Sequence, residues 1–210
     1  MKTDLILRKL RVEGKEFVTS EELKGLCSAL GVKYESAIRH LVPRGHLIRI
    51  FRGVFYVTSA DEALKKEKKY SHLELVSGGL EFKGVVDWYF GLYTALKLNN
   101  MTHELFAIDY VVNDVIQRSK PMDIAEYEFR FIKVIPRLLG FGVIDGKLRH
   151  SDPEKTVLDF IYIWRYGGIP ELRIKMSVRE WVKDVNEEKL RKYSRYYPKT
   201  VARQLEEIFS

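Results

Sequence analysis

The stretch "YESAIRHLVPRGHLIRIFRGVFYV", residues 34–57, decides the fold of the N-terminal part of the chain. Its first half has apolar residues at helical spacing and ends at Pro43 and Gly45, which stop a helix. Its second half alternates around Arg52 and Gly53, which predicts a hairpin with a two-residue loop. A basic helix therefore comes directly before a basic hairpin.

The loop at Arg52 and Gly53 also predicts how the two strands of this hairpin pair. We expect Phe51 opposite Val54, Ile50 opposite Phe55 and Ile48 opposite Val57, without interruption. The expected core face then carries Ile48, Ile50, Phe55 and Val57, and the opposite face carries Arg49, Phe51, Val54 and Tyr56.

Two further helical patterns precede this stretch. "DLILRKLRVEG" ends at Gly14, and "TSEELKGLCSALG" opens with Thr19 and Glu22 at the spacing of a capping box. Three helices followed by a hairpin is the order of a winged helix-turn-helix domain. In that domain the third helix enters the major groove of DNA while the hairpin lies on the adjacent backbone. The sequence therefore predicts such a domain at residues 1–60.

The charge of the chain supports this interpretation. The 210 residues carry a formal net charge of +7. Residues 1–60 hold 11 Lys and Arg against 6 Asp and Glu, whereas residues 70–210 hold 21 against 20. Basic charge concentrated at one end favours a polyanionic partner there.

The candidate DNA contacts share the basic, outward side of the third helix and of the hairpin. They are Lys33, Tyr34, Ser36, Arg39, His40, Arg44, Arg49, Arg52, Gly53 and Tyr56. Arg39 has the geometry to read base edges, and Arg52 at the hairpin tip is expected to contact phosphate. Two alternatives remain open, a merely solvated basic surface and a winged helix that binds protein instead of DNA.

The rest of the chain predicts a charged linker at residues 61–69 and a mixed α/β domain at residues 70–210. In that domain "VVDWYFGLYTALKLNNM" reads as one apolar helix, while "ELFAIDYVVN" and "EYEFRFIKVI" read as strands. "HSDPEKTVLDFIYIWRYGG" reads as a helix that opens with a second capping box, formed by Ser151 and Glu154. Two or three amphipathic helices follow, so the predicted fold class is α+β.

No motif points to an enzyme, and we expect no catalytic residue, cofactor or metal ligand. The chain has no G-x-S-x-G, H-E-x-x-H, P-loop or G-x-G-x-x-G pattern, and "SGG" at 77–79 is too short to signal a phosphate cradle. The single cysteine, Cys27, excludes an internal disulfide and is expected to be a buried helix residue. The alternative function is a nuclease-like enzyme whose metal-binding carboxylates meet only in space.

The composition predicts a cytoplasmic protein with no membrane partner. No apolar run reaches the roughly 18 residues of a spanning helix, and the N-terminal apolar run is too short for a signal peptide. Few glutamines and abundant Lys, Glu and Ile suit a thermophile.

The C-terminal segment "RKYSRYY" carries a second candidate surface. Tyr193, Arg195, Tyr196 and Tyr197 combine tyrosine with arginine, which is the composition of a protein-binding hot spot. Ordinary faces of amphipathic helices are the alternative.

Four segments together resemble the AbiEi family, the antitoxins of the abortive-infection type of toxin–antitoxin system. They are "ALGVKYESAIRHLVPRGHLIRIFRGVFYV", "YFGLYTALKLNNMTHE", "SDPEKTVLDFIY" and "LRKYSRYYPKTVARQLEEIF". The resemblance implies a regulator that represses its own operon by binding repeats in the promoter, with Tyr34, Ser36, Arg39, Arg49, Arg52 and Gly53 matching the family's DNA contacts. It also implies a second domain that neutralises or accompanies a nucleotidyltransferase-type toxin. The oligomeric state stays open.

Overall fold

The computed structural model describes residues 2–209, and its internal contacts divide the chain into two compact units. The first unit runs up to Val86 and also includes Asp123–Tyr127. The second unit comprises Asp87–Met122 and the chain from Glu128 onward. Helices and strands occur in both units, which confirms the α+β class.

The first unit contains five helices and three strands among the described residues, in the order α1 (Lys2–Val12), β1 (Phe17–Thr19), α2 (Ser20–Ala29), α3 (Tyr34–Leu41), β2 (Leu47–Phe51), β3 (Val54–Val57), α4 (Ala60–Lys65) and α5 (His72–Phe82). The strands form an antiparallel sheet in the order β1-β3-β2. Helices α1, α2 and α3 enclose a core that includes Ile6, Leu23, Leu41 and Phe55. The predicted capping box of Thr19 and Glu22 opens α2, whereas the short strand β1 was not predicted.

The pairing of the β2–β3 hairpin differs from the prediction by one residue. Phe51 lies opposite Val54 as expected, but Arg49, not Ile50, lies opposite Phe55. The cause is a bulge at Ile50, which shifts the register on one side of it. A shift of one residue turns side chains to the other face of a sheet. The predicted core face is therefore right for Phe55 and Val57 of β3, whereas on β2 Leu47, not Ile48, shares that core.

Both faces of strand β3 are buried, because α5 covers the face that was expected to lie in solvent. Val54, Phe55, Tyr56 and Val57 are all buried. The backbone of α5 comes so close to the sheet that a Cβ on Gly79 would lie 2.5 Å from Cγ2 of Ile50. A Cβ on Gly78 would lie 2.7 Å from Cζ of Phe17. The "SGG" segment is therefore a site of close helix–sheet packing.

This packing also moves the boundary between the units. The sequence predicts a linker at residues 61–69 and a domain start at Tyr70, but the first unit continues to Val86. Residues 60–65 form α4, which opens with a capping box of Ser59 and Glu62. The hydrophobic periodicity of the sequence could not predict that α5 packs on this sheet. The close approach depends on Gly78 and Gly79, which have no side chains to contribute to a hydrophobic pattern.

The second unit places a long helix against a sheet. Its elements are β4 (Trp88–Phe90), α6 (Leu92–Leu98), β5 (Ile108–Asn113), β7 (Tyr127–Lys133), β8 (Val143–Ile144), β9 (His150–Ser151), α7 (Pro153–Tyr166), α8 (Glu171–Trp181), α9 (Glu187–Ser194) and α10 (Lys199–Phe209). A further strand, β6 (Met122–Ile124), lies where the chain passes between the units, as does the first residue of β7. The strands of the second unit lie in the order β7-β5-β4-β9-β8, with β5 and β7 parallel. Val157, Leu158, Phe160 and Ile161 of α7 are completely buried in its core.

Two predictions for the second unit are wrong in detail. The segment 85–101 is a strand followed by a helix, because the chain is extended at Gly91 and packs closely there: a Cβ on Gly91 would lie 2.7 Å from Cγ2 of Val112. Helix α7 is capped by Asp152, not by Ser151; Asp152 accepts a hydrogen bond of 2.8 Å from the backbone N–H of Lys155. Glu154 instead accepts a hydrogen bond of 2.9 Å from the backbone N–H of Asn186.

Candidate nucleic-acid interface

Helix α3 presents a row of polar side chains to solvent. Ala37 and Leu41 anchor the helix in the core, and Lys33, Ser36 and Arg39 are exposed on its other side. The predicted outward face is therefore present, with a cation at each end of the row. Such a face can place an arginine fork and a hydroxyl group against base edges.

Ser20, the first residue of α2, joins α3 to the tip of the hairpin. Its Oγ accepts a hydrogen bond of 3.1 Å from the hydroxyl of Tyr34, at the start of α3. Its backbone N–H donates a hydrogen bond of 2.9 Å to the carbonyl oxygen of Gly53. Gly53 has φ +81°, a left-handed conformation that favours glycine. The two elements that carry the candidate contacts are therefore tied to one residue.

His40 and Arg44 form a connected pair at the end of α3. One Nη of Arg44 lies 2.8 Å from Nδ1 of His40 and donates a hydrogen bond of 3.1 Å to the carbonyl oxygen of His40. Nε2 of His40 lies 3.9 Å from a carboxylate oxygen of Asp4. The half-buried His40 ring thus holds the exposed Arg44 side chain at the surface.

The β2–β3 hairpin carries two exposed arginines. Arg52 is exposed at its tip, and Arg49 is exposed on β2 with its guanidinium carbon 5.3 Å from the ring centroid of Phe55. Near the base of the hairpin, a cavity of about 570 Å³ is lined by Arg44, Arg49, Lys66 and Lys68 and also by Glu62, Glu67 and Glu126, of which Glu126 pairs with Lys68. Positive side chains therefore extend from the tip to the base of the hairpin.

Tyr56 is not on the surface, contrary to the sequence-based prediction. Only 2% of it is exposed, and its hydroxyl donates a hydrogen bond of 2.8 Å to Oε2 of Glu62. Burial, together with the hydrogen bond to Glu62, raises the pKa of Tyr56. Tyr56 is on the predicted face of β3, but Phe17, Tyr70 and Glu62 pack around it, so it is not available as a DNA contact.

Glu62 is a structural residue that the sequence analysis missed. Its carboxylate also accepts hydrogen bonds of 2.9 Å from the backbone N–H groups of Ser59 and Lys69. Burial alone would raise the pKa of Glu62, but these hydrogen bonds lower it. The spacing Ser59-x-x-Glu62 is a capping-box signal and could have identified the residue.

The tyrosines proposed as a partner-binding surface divide into buried and exposed residues. Tyr197 is buried, and its hydroxyl donates a hydrogen bond of 2.6 Å to Oδ1 of Asp159, so this prediction is wrong. Tyr193 is half-buried and donates to Oδ2 of Asp152 at 3.1 Å. Arg195 and Tyr196 are exposed, and the Tyr196 ring stacks on Phe141 with centroids 4.4 Å apart.

A buried polar network connects α7 to its surroundings. Nζ of Lys155 donates hydrogen bonds to the carbonyl oxygen of Leu138 at 2.6 Å and to the hydroxyl of Tyr197 at 3.2 Å. Asp159, one turn further along α7, accepts a hydrogen bond of 2.7 Å from the hydroxyl of Tyr89. Burial lowers the pKa of Lys155 and raises that of Tyr89 well above its usual value. The motif "SDPEKTVLDFIY" thus supplies a structural network.

The next question is whether side chains that could bind a metal ion or act as a nucleophile lie together. Among residues 2–183 and 185–209, no three His, Cys, Asp or Glu side chains are grouped so that they could hold a metal ion. Cys27 is buried, and burial raises the pKa of its thiol. Over the same described range, no helix combines the length and the apolar character needed to cross a membrane.

Comparisons with known proteins identify a similar fold but assign the chain to no family. No model of a known protein family matches the chain, and no curated protein matches it. Among solved structures, the chain is similar to the crystal structure of the RV2827C protein from Mycobacterium tuberculosis. The TM-score is 0.59 at 14% sequence identity, over 99% of this chain and 75% of that chain. At this level of identity the similarity concerns the fold alone, so the chain shares its overall fold with that protein.

Proposed function

We propose that the protein is a DNA-binding transcriptional repressor whose first unit is a winged helix-turn-helix domain. The observation that carries this proposal is the exposed row Lys33, Ser36 and Arg39 on α3, beside a hairpin with Arg52 exposed at its tip. A row of this kind fits a major groove, while a hairpin tip reaches the flanking phosphates.

Each contact has a distinct role in this proposal. Arg39 reads the edge of a guanine, because its planar fork can donate to the two acceptors of that base at once. Lys33, Arg49 and Arg52 bind phosphates and position the domain without reading sequence. Ser20 holds α3 and the hairpin tip in position, because it forms hydrogen bonds with both Tyr34 and Gly53.

The second part of the proposal is that the protein acts as the antitoxin of a toxin–antitoxin operon with a nucleotidyltransferase-type toxin. Its support is the resemblance of four ordered segments to the AbiEi family. The charge of the second unit is compatible with a protein partner, because residues 87–210 have no strong excess of either sign. The alternative, a nuclease carrying a DNA-binding domain, has no comparable observation in its favour.

The test of DNA binding uses the full-length protein and the DNA upstream of its own gene. We expect tight binding to that DNA, weaker binding to a scrambled duplex, and a loss of affinity as salt rises, because phosphate contacts release counterions. Replacement of both Arg39 and Arg52 with alanine should abolish the preference. Arg130→Ala, an exposed arginine of the second unit, is the matched control and should leave it unchanged. Equal loss in the control and the double variant would overturn the assignment.

The antitoxin role has a separate test. The protein is co-expressed with a nucleotidyltransferase encoded next to its gene, and growth is measured. Rescue by the wild type and by the Arg39/Arg52 variant would show that neutralisation does not require DNA binding. Failure of the wild type to rescue growth would refute the antitoxin role and leave DNA binding untouched.

A further inference from the structure

The second unit contains an open cavity with aromatic walls and an acidic rim. Its volume is about 440 Å³, and its lining includes Tyr93, Phe106, Trp164 and Trp181. Two carboxylates, those of Glu104 and Glu180, also line it. Aromatic walls combined with carboxylates are the two features by which proteins hold an organic cation.

The aromatic walls are held in place by one buried ring. Phe160 of α7 is completely buried, and its centroid lies 5.0 Å from Tyr93, 4.9 Å from Trp164 and 4.5 Å from Trp181. Phe106 packs on the outer side of Tyr93, with centroids 4.3 Å apart. The ring faces are therefore fixed by core packing before any ligand arrives, which limits the entropy lost on binding.

Neither carboxylate is used inside the molecule. Glu104 and Glu180 are both exposed, and among the described side chains neither lies within ion-pair distance of a lysine, arginine or histidine; the exposed Arg173 acts electrostatically on Tyr93. Thr102 fixes the loop of Glu104, because its Oγ1 accepts a hydrogen bond of 3.1 Å from the backbone N–H of Glu104. Two carboxylates beside aromatic rings favour a positively charged ligand.

Three exposed apolar side chains at or near the cavity point to a protein ligand. Met176 lines the cavity and is 66% exposed, and Leu105, next to Glu104 in the chain, is 89% exposed. On the same helix as Met176, Leu172 is 71% exposed. A free amino acid or small cation would leave these side chains in water, whereas a polypeptide segment would cover them.

We propose that this cavity binds an arginine side chain presented by a protein partner. The planar guanidinium group stacks on the indole and phenol faces, and its N–H groups donate to Glu104 and Glu180. The exposed Leu105, Leu172 and Met176 contact the residues on either side of that arginine. The inference goes beyond DNA binding and does not depend on the identity of the partner as a toxin.

Intrinsic fluorescence provides a direct test. Trp164 and Trp181 line the cavity, whereas Trp88, the third tryptophan of the chain, is buried outside it. Full-length protein is titrated with the capped peptide acetyl-Leu-Arg-Leu-amide and with the same peptide containing citrulline, which keeps the shape and lacks the charge. We expect a saturable change with arginine and about tenfold weaker binding with citrulline. Equal binding of the two peptides, or no response to either, would overturn the proposal.

Two double variants that each remove two negative charges separate the cavity from general electrostatics. Glu104→Gln with Glu180→Gln should weaken binding of the arginine peptide about tenfold. Glu128→Gln with Glu188→Gln removes the same charge from exposed positions outside the cavity and should leave binding unchanged. A similar loss of peptide affinity in both variants would mean that only the net charge of the protein matters, and would refute the site. Both variants should bind DNA like the wild type, so failure of this inference is distinguishable from failure of the proposed function.

Discussion

Nζ of Lys155 lies 3.4 Å from Oδ1 of Asp159, and both side chains are completely buried. The two residues are one helical turn apart on α7, so the helix itself brings them together. Each has further partners, since Leu138 accepts from Lys155 while Tyr89 and Tyr197 donate to Asp159. A buried charge pair with complete hydrogen bonding tolerates the loss of neither member.

We therefore expect Asp159→Asn to destabilise the second unit by about 3–5 kcal/mol, because it leaves the Lys155 ammonium group buried without a counter-charge. Denaturant unfolding followed by tryptophan fluorescence reports this unit, since Trp88, Trp164 and Trp181 all belong to it. The control is Glu207→Gln, because Glu207 pairs with Arg203 at the same spacing on the exposed face of α10. The control should change stability by less than about 0.5 kcal/mol. Similar effects of the two substitutions would contradict the buried role of Asp159.

The lowered pKa of Glu62 makes the stability of the first unit depend on pH. Its pKa in the folded protein is below the usual 4.5, so its contribution to stability is complete above pH 4.5 and is lost as the pH falls through the lowered value. Glu62→Gln should therefore be less stable than the wild type at pH 7, and the difference should shrink on acidification. Urea unfolding followed by far-ultraviolet circular dichroism at several pH values measures this. The exposed Glu67 provides the control, Glu67→Gln, and a constant difference for Glu62→Gln across the pH range would refute the linkage.

Two glycines of the second unit allow strain and crowding to be separated. Gly142 has φ +61° and Gly168 has φ +76°, so alanine at either position costs about 1–2 kcal/mol of backbone strain. A Cβ on Gly168 would meet nothing within 4 Å, whereas one on Gly142 would lie 2.8 Å from Tyr193 and 2.9 Å from Cβ of the buried Lys155. Gly142→Ala should therefore lower the tryptophan-monitored stability clearly more than Gly168→Ala. Equal losses would mean that the Tyr193 ring moves aside without cost.

Arg39 and Arg52 should differ in what they contribute to DNA binding. Arg39→Ala should cost about 1–3 kcal/mol on the preferred DNA and relax the sequence preference at about one position, because a base contact is lost. Arg52→Ala should weaken binding to preferred and random duplexes alike and reduce the salt slope by about one, because a phosphate contact is lost. Fluorescence anisotropy at several salt concentrations distinguishes the two. A uniform loss for Arg39→Ala would remove its base-reading role.

The elements with strong local signals could be predicted from the sequence. Thr19 and Glu22 located the start of α2, and Arg52 with Gly53 located the turn of the hairpin. Helix α7 was also predicted, although its cap is Asp152. Helix caps and tight turns are formed by residues that are close together in the chain. Their hydrogen bonds join partners only a few positions apart, so the sequence pattern reveals them.

Features that depend on distant partners could not be predicted. Ile50 packs against Gly79 of α5, and the ring of Tyr56 packs against Phe17 and Tyr70, so the environment of both residues is set by segments outside the hairpin. Tyr197 was expected at the surface because basic residues flank it, but its hydroxyl group finds Asp159 across the core. A tyrosine with a polar tip suits either environment, and only the tertiary structure decides between them.

The tight fit of α5 determines how the first unit can be obtained as a separate polypeptide. A fragment that stops at residue 65 would expose the sheet face around Ile50, Phe51 and Tyr56, which invites aggregation through an uncovered apolar surface. Extension to Val86 keeps α5 and its two glycines on that face. Screens for a crystallisable or NMR-tractable DNA-binding fragment should therefore place the C-terminus after α5.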